Sequence, residues 1–264
     1  MGTDASHWQH TAERYASGRY MDPALAKHTR EVNLELVQRW VPELAAAWIL
    51  KTDAFADATC PGRAFAWYIQ EDARLVCLDI APGLCAQGRD NARVAGHGET
   101  SYTAGDVRFI PFGDASFDLI VSDSTLDHFH TTDEIHVALK ELARVLKPGG
   151  SLIIALDNPQ NLTDPLFRLW QKRGKSPYFI GKTLSQRQLV RALESLGLQV
   201  TDTTAMFHYP RLVTKRFLRL MRRVTPGRSD MLARRLLNAL NALERCGTRN
   251  LTGLFVAARA VKPL

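Results

Sequence analysis

Residues 106–156 read DVRFIPFGDASFDLIVSDSTLDHFHTTDEIHVALKELARVLKPGGSLIIAL, and this segment decides the fold. Residues 117–121 are a short apolar run typical of a strand. A helix is predicted next, because residues 131–133 offer side-chain oxygens for an N-cap and apolar residues then recur at helical spacing. The recurring residues are Ile135, Ala138, Leu139, Leu142, Val145 and Leu146.

The helix is predicted to end in a turn at Lys147, Pro148, Gly149 and Gly150, and residues 151–156 form a second apolar strand. Two strands joined by one helix lie parallel, because such crossovers are right-handed and too long for a hairpin. The segment therefore predicts an α/β protein with a covered parallel sheet.

Three parts of the segment resemble the class I S-adenosylmethionine-dependent methyltransferases, in particular those that act on small molecules. These parts are an acidic residue ahead of an apolar-Pro-Phe stretch (106–112), SFDLIVSD (116–123) and LKPGGSLII (146–154). The resemblance covers roughly residues 45–160. It implies a doubly wound, Rossmann-like sheet of seven strands with an antiparallel last strand, and S-adenosylmethionine as cofactor.

A chain of 264 residues, 45% hydrophobic, can bury one substantial core, so a single domain is predicted. Its expected parts are an N-terminal helical cap (1–45), a Rossmann-like core (46–207 and 251–264) and a basic helical insertion between strands six and seven (208–250).

The composition predicts a cytoplasmic protein. The sequence has no apolar run of ~18 residues, and its N-terminus lacks the apolar block of a signal peptide. The four cysteines show no paired spacing of metal ligands, so no metal site is expected.

The loop after the first strand departs from the family pattern. In place of a glycine-rich loop the chain reads LKTDAFADATCPGRAF from Leu50 onward. It resembles a methyltransferase subgroup with a Lys-Thr-Asp-x-Phe segment, which implies that Lys51, Thr52 or Asp53 holds the amino acid end of the cofactor through side chains. Two alternatives stay open: Asp53 only caps the next turn, or the altered loop marks a relative that binds the cofactor without turnover.

The next two strands each lead to an acidic residue. Asp79 ends an apolar strand, a position from which a carboxylate can accept both ribose hydroxyls of a nucleoside cofactor, and Ile80 would lie against the adenine. The resemblance implies that Asp106 receives the adenine amino group and that Val107 contributes its backbone amide. A plain turn would also explain Asp106.

A polar loop, SDSTLDHFH, follows the fourth strand. Ser122 and Asp123 are predicted to contact the cofactor there. A neutral histidine can accept a proton from a hydroxyl or amine, so His128 is the candidate general base, with Asp127 or Asp123 beside it. Alternatively His128 only positions the cofactor, since methyl transfer to a good nucleophile needs little beyond orientation.

Helices are predicted over residues 8–45, with an apolar stripe of Val32, Leu36, Val37 and Trp40 that packs on the core. In the resembling family such a segment commonly closes over the ligands. Tyr15 and Tyr20 are therefore expected near the cofactor or acceptor.

The predicted insertion is strongly basic. Between Arg211 and Arg245 ten basic residues stand against two acidic ones, an excess larger than the net charge of +7 of the whole chain. Its first helix carries Phe217, Leu220, Met221 and Val224 on one face, predicted to point inward or toward lipid, and arginines on the others. This distribution suits an anionic acceptor or an anionic membrane surface, although arginines that only confer solubility are an alternative.

These observations predict an S-adenosylmethionine-dependent methyltransferase acting on an oxygen or nitrogen of a small-molecule or lipid-linked acceptor, cytoplasmic and in contact with an anionic membrane surface if the insertion binds lipid. A nucleic-acid methyltransferase is disfavoured, because few aromatic residues interleave with the arginines and SDST replaces the Asn/Asp-Pro-Pro-Tyr type of loop. The sequence does not indicate the oligomeric state.

Overall fold

A computed structural model describes residues 5–15, 21–42, 47–69, 72–174, 179–225 and 227–264. Tyr20 and the side chain of Tyr15 lie outside the described residues, so their expected place near the ligands stays a prediction.

Seven strands form one sheet in the order β3-β2-β1-β4-β5-β7-β6. They are β1 Trp48–Thr52, β2 Arg74–Asp79, β3 Ser101–Ala104, β4 Phe117–Asp123, β5 Leu146–Asp157, β6 Gln199–Met206 and β7 Phe255–Val261. The β1 to β5 pairs are parallel, whereas β7 runs antiparallel to both β5 and β6. The predicted doubly wound fold with an antiparallel last strand is confirmed.

Helices cover both faces of the sheet and one of its edges. They are α1 Ala5–Tyr15, α2 Pro23–Trp40, α3 Phe55–Thr59, α4 Pro82–Val94, α5 Thr132–Val145, α6 Asp164–Lys172, α7 Gln186–Ser195, α8 Arg211–Val224, α9 Ser229–Asn241 and α10 Arg249–Thr252. One core lies between the sheet and helices α2 and α4, and the other lies between the sheet and helices α5 and α7. No helix of the described chain is both long and apolar enough to cross a bilayer.

Helix α5 forms where the sequence predicts it. Thr131 and Glu134 make a reciprocal capping box at its start, and its apolar stripe is buried against the sheet. Its end differs from the prediction: the helix stops at Val145 and β5 begins at Leu146. Residues 147–150 belong to β5 and form a bulge in it: Phe117 pairs with Leu146 and Leu119 with Ser151, so the extra residues are on β5.

The insertion between β6 and β7 also differs in its bounds. Residues 249–252 form α10, so the seventh strand begins at Phe255 and not at the predicted residue 251. Helices α8 and α9 pack on α2 through a small core of Leu25, Leu218, Ala233 and Leu237. The cap and the insertion therefore support each other.

Helix α8 packs inward through Leu218, with Met221 partly buried beside it. Leu218 is buried at 2% exposure, whereas Phe217, Leu220 and Val224 are 45%, 57% and 70% exposed. Of the two predicted orientations, the outward one is therefore observed for these three residues.

Candidate functional site

A large cleft opens at the carboxyl-terminal edge of the sheet, where ligands of open α/β sheets bind. The cleft and its open mouth enclose about 1450 Å³ of empty space, open solvent included. It spans the switch point between β1 and β4, from which the chain winds outward in both directions. The cleft thus lies on both sides of the switch point.

The cleft has two halves that meet above β4. The first half consists of residues that follow β1, β2 and β3: Thr52, Asp53, Phe55, Ala56, Leu78, Asp79, Ile80, Gly105, Asp106 and Val107. The second half consists of residues from α2, from the loop after α3 and from the ends of β5, β6, α8 and β7: Met21, Leu25, Thr29, Arg63, Asp157, Phe207, Tyr209, Arg211, Leu254 and Phe255. Between them lie Asp123, Ser124, Thr125, His128 and Phe129, with Trp8 of α1 also in the lining.

Asp53 gives the loop after β1 a shape that normally requires glycine. Its φ of 82° lies in the left-handed region. Its Oδ1 accepts a 2.6 Å hydrogen bond from the Phe55 amide, and its backbone oxygen accepts one from Nζ of Lys51. The loop therefore makes a glycine-like turn without a glycine. The contact with the Phe55 amide is the turn-capping contact that the alternative interpretation of Asp53 expects.

Lys51 lies beneath this loop and does not line the cleft, contrary to the expectation that it holds the cofactor. It is 1% exposed, and its Nζ lies 3.5 Å from Oδ1 of Asp57 and 3.7 Å from Oδ2 of Asp53. Burial opposes its charge, but the two carboxylates outweigh burial and raise its pKa. The physical reason is strand alternation: Lys51 and Thr52 project from opposite faces of β1.

Thr52 lines the cleft, whereas Ser122 is buried behind it. The Thr52 hydroxyl donates a 2.9 Å hydrogen bond to Oγ of Ser122, and its Oγ1 lies 2.8 Å from the hydroxyl of Thr125. Ser122 is 1% exposed and absent from the lining. Ser122 was predicted to contact the cofactor directly, but it lies behind Thr52 and supports that side chain instead.

Asp79 ends β2 and faces the first half of the cleft. Its Oδ2 accepts the Ala54 amide at 2.7 Å and its Oδ1 the Ala81 amide at 2.8 Å. Burial raises the pKa of Asp79 to about 7, and the nearby Asp53 carboxylate adds to the rise. Asp79 thus joins the loops after β1 and β2, and the neighbouring Ile80 adds an apolar wall.

Asp106 and Val107 follow β3 and line the far end of the first half. The Asp106 carboxylate accepts hydrogen bonds from the Arg108 guanidinium at 2.6 to 3.0 Å, and Arg108 also pairs with Glu134 at 2.6 Å. The turn explanation and the adenine-binding prediction are both compatible with this geometry, because a carboxylate oxygen has more than one lone pair.

Asp123 is the last residue of β4 and sits where the two halves meet. Its Oδ2 accepts a 3.1 Å hydrogen bond from the Asn33 amide and lies 4.0 Å from the Arg63 guanidinium. Burial raises its pKa to about 6, although Arg63 lowers it. The sequence offered no signal for Asn33 or Arg63, because both come from distant segments that only the fold brings to β4.

His128 lines the cleft, and Asp127 lies buried behind it. Nδ1 of His128 is 2.5 Å from the Phe179 carbonyl oxygen, so Nδ1 donates and Nε2 is the basic nitrogen of the neutral ring. Nε2 lies 3.8 Å from Oδ1 of Asp127, whose Oδ2 accepts the Asp157 amide. Trp8 packs edge-on against the imidazole with ring centroids 4.6 Å apart.

The second half contains a charged pair that the sequence analysis did not single out. Arg211, the first residue of α8, pairs with Asp157 at the end of β5, and its guanidinium lies 4.6 Å above the Phe167 ring. The insertion therefore begins inside the cleft. Among the described residues no group of three or more histidines, cysteines, aspartates or glutamates could hold a metal ion.

A family model described as a methyltransferase domain matches residues 57–154. The fold is also that of solved methyltransferases. A structure from Thermotoga maritima, described as an S-adenosylmethionine-dependent methyltransferase and possible histamine N-methyltransferase, superposes with a TM-score of 0.59 at 18% identity over 97% of this chain and all of that one.

Curated relatives cover parts of the chain. The demethylmenaquinone methyltransferase of Corynebacterium glutamicum strain R is 29% identical over 189 residues, 71% of this chain and 66% of the relative. The biotin biosynthesis bifunctional protein BioHC of Cellvibrio japonicus is 30% identical over 146 residues, 53% of this chain and 27% of the relative. The chain thus spans less than two thirds of the length of these relatives, and its match to the methyltransferase-domain model is confined to residues 57–154.

Proposed function

We propose that this methyltransferase-domain protein transfers the methyl group of S-adenosylmethionine to an oxygen or nitrogen of a small-molecule or lipid-linked acceptor. The observation that carries the proposal is a row of carboxylates, Asp53, Asp79 and Asp106, at the ends of three neighbouring strands in the first half of the cleft. Asp79 and Asp106 lie within residues 57–154, which match the methyltransferase-domain model, and Asp53 lies just before them.

The first half of the cleft fits the cofactor. A carboxylate at Asp53 suits an ammonium, and Asp79 has lone pairs beyond those used by the two loop amides, which suit ribose hydroxyls. Ile80 and Val107 offer apolar walls for the adenine beside Asp106. When bound, the cofactor supplies an electrophilic methyl group on a sulfonium that departs as a neutral thioether.

The chain's own residues then orient the reactants and exclude water. Thr52 is fixed by Ser122 and Thr125, which sets the wall between the two halves. Trp8 of the cap packs on His128 and Phe55, and so covers part of the cleft. A closed, dry cleft favours in-line attack because it replaces mobile water with fixed dipoles.

His128 is proposed to assist turnover from the boundary of the halves. Its Nδ1 is held by the Phe179 carbonyl, which leaves Nε2 as the atom able to accept a proton. The alternative, that His128 only positions ligands, is favoured by its close packing against Trp8.

The proposal is tested by the formation of S-adenosylhomocysteine from S-adenosylmethionine in the presence of phenols, amines, quinols and carboxylic acids, followed by mass spectrometry. If His128 is a base, His128→Ala lowers the turnover number by ~10² or more and leaves cofactor affinity nearly unchanged. A normal turnover number in the variant would make His128 a positioning residue. Absence of turnover with any acceptor, despite tight cofactor binding, would favour the non-methylating relative.

An anionic membrane surface is proposed as the partner of helix α8. Val213, Phe217, Leu220 and Val224 follow the spacing of one helical face and are exposed. The neighbouring face carries the exposed Arg216, Arg219 and Arg223. Apolar side chains beside arginines suit the interface of a bilayer with anionic lipid, and α8 begins at the cleft.

A further inference from the structure

Asp123 presents one carboxylate oxygen that the surrounding protein does not use. Both of its contacts, from the Asn33 amide at 3.1 Å and from the Arg63 guanidinium at 4.0 Å, are made to Oδ2. Within the described chain Oδ1 has no hydrogen-bond partner, and Asp123 lines the cleft. Two groups thus fix the carboxylate by one oxygen while the other remains available to a ligand.

The position of Asp123 suits contact with the reacting end of an acceptor. β4 is the middle strand of the cleft, with the proposed cofactor half after β1 to β3 and the second half after β5 to β7. Five of the ten residues that line the second half are apolar: Met21, Leu25, Phe207, Leu254 and Phe255. A molecule with an apolar body held there has its reactive end near the end of β4.

The charges of the lining decide which kind of reactive end fits. Among the described lining residues, five carboxylates face two guanidinium groups. The carboxylates belong to Asp53, Asp79, Asp106, Asp123 and Asp157, and the guanidinium groups belong to Arg63 and Arg211. An excess of negative charge favours a cationic sulfonium and disfavours a second anion. A neutral acceptor that carries a proton is therefore favoured over a carboxylate.

We infer that Asp123 is a catalytic residue that accepts the proton of a neutral hydroxyl or amine on an apolar acceptor. As the acceptor atom bonds to the methyl carbon, the methyl-sulfur bond breaks and its electron pair stays on sulfur. The O–H or N–H bond breaks, its electron pair stays on the acceptor atom, and the proton goes to Oδ1 of Asp123, so that His128 positions the ligands and does not take the proton. This inference rests on the proposed methyl transfer and names its substrate class.

The ionisation of Asp123 agrees with this role. Burial raises its pKa to about 6, close to the range in which general bases work at neutral pH. The charged groups that face it are Arg63 and Lys51, which lower its pKa, and Asp53 and Asp127, which raise it. Tyr209 of the second half also interacts with it.

Binding of simple probes to the protein saturated with S-adenosylhomocysteine tests the inference without the natural acceptor. The probes are 2-naphthol, which has a proton to donate, 2-methoxynaphthalene, which has none, and 2-naphthoate, which is anionic. Calorimetry of the full chain at about pH 7.5 should show 2-naphthol binding roughly tenfold or more tightly than the other two. Its affinity should rise as the pH increases through about 6.

Asp123→Asn should remove the preference for 2-naphthol and its pH dependence. The matched control is Asp118→Asn, the same substitution near the start of β4, where Asp118 pairs with Lys147 at 2.8 Å. This control variant should keep both the preference for 2-naphthol and its pH dependence. Equal binding of 2-naphthol and 2-methoxynaphthalene, or binding of neither, to protein that binds S-adenosylhomocysteine overturns the inference. Failure to bind S-adenosylhomocysteine would instead overturn the proposed function.

Discussion

At the scale of single residues, a buried lysine supports the left-handed turn at Asp53. Lys51 belongs to β1, and its side chain lies beneath the following loop with its charge matched by Asp57 and by the carboxylate and backbone oxygen of Asp53. Asp57 is 0% exposed and also accepts from the Cys77 thiol and the Tyr102 hydroxyl. The left-handed turn at Asp53 is thus held by a network inside the core.

Replacing Lys51 by methionine tests this network. Lys51→Met leaves Asp57 buried without its cation, so the free energy of unfolding should fall by roughly 3–5 kcal/mol in urea titrations. Lys140→Met, on the exposed side of α5, is the control and should change it by less than ~0.5 kcal/mol. A double variant, Lys51→Met with Asp57→Leu, should recover part of the loss, and equal stability of Lys51→Met and wild type would refute the role.

The sequence predicted the acidic residues that follow the strands and line the cleft, but not the residues that support them from behind. Asp53, Asp79, Asp106 and Asp123 line the cleft as expected, because the carboxyl ends of parallel strands meet at one edge. Residues in a loop or strand beside them, such as Ser122, turned out to support the lining. Side-chain alternation along β1 could have excluded Lys51, whereas Asn33 could not be found because no local pattern links it to β4.

At the scale of secondary structure elements, α8 has two apolar faces with different roles. Leu218 packs inward against α2, while Phe217, Leu220 and Val224 point to solvent beside arginines. Helical periodicity in the sequence identified the helix and the face with Phe217, Leu220 and Val224, but not Leu218. It could not tell which face the rest of the fold would cover, because α2 lies almost 200 residues earlier in the chain.

Vesicle sedimentation separates the two faces. The double variant Phe217→Ser and Leu220→Ser should lose binding to vesicles that contain phosphatidylserine, and its free energy of unfolding should change by less than ~1 kcal/mol because both positions are exposed. Leu218→Ala should lower the free energy of unfolding by about 2–4 kcal/mol and keep vesicle binding wherever the protein is folded. Wild-type binding that is absent, or that does not weaken with salt, would reject the membrane proposal.

At the scale of the whole molecule, the cleft contains buried carboxyl groups whose ionisation is opposed by burial. Burial raises the pKa of Asp79 to about 7 and those of Asp123 and Asp157 to about 6. A carboxyl group with a raised folded-state pKa stabilises the fold below its unfolded pKa and loses that contribution as pH rises through the folded value. A cationic ligand in the cleft would offset this cost.

The difference in the free energy of unfolding between wild type and Asp79→Asn measures how the ionisation of this one carboxyl group affects stability. Two buried histidines, His28 and His208, have lowered pKa values and act in the opposite direction, so the comparison with the variant is needed. Between about pH 5 and pH 8, urea titrations should show wild type losing at least ~1 kcal/mol relative to Asp79→Asn. A difference that does not change with pH would mean that Asp79 is not buried in the neutral form.

The most direct test of the proposed site is the binding of S-adenosylhomocysteine to wild type and to Asp79→Ala, measured by calorimetry. Loss of the ribose contacts should lower the affinity by roughly 2–3 kcal/mol, about 30- to 150-fold, while Asp118→Asn binds as wild type does. Circular dichroism checks that each variant is folded. Unchanged affinity in folded Asp79→Ala, or no binding by wild type, would contradict the assignment of this cleft to the cofactor.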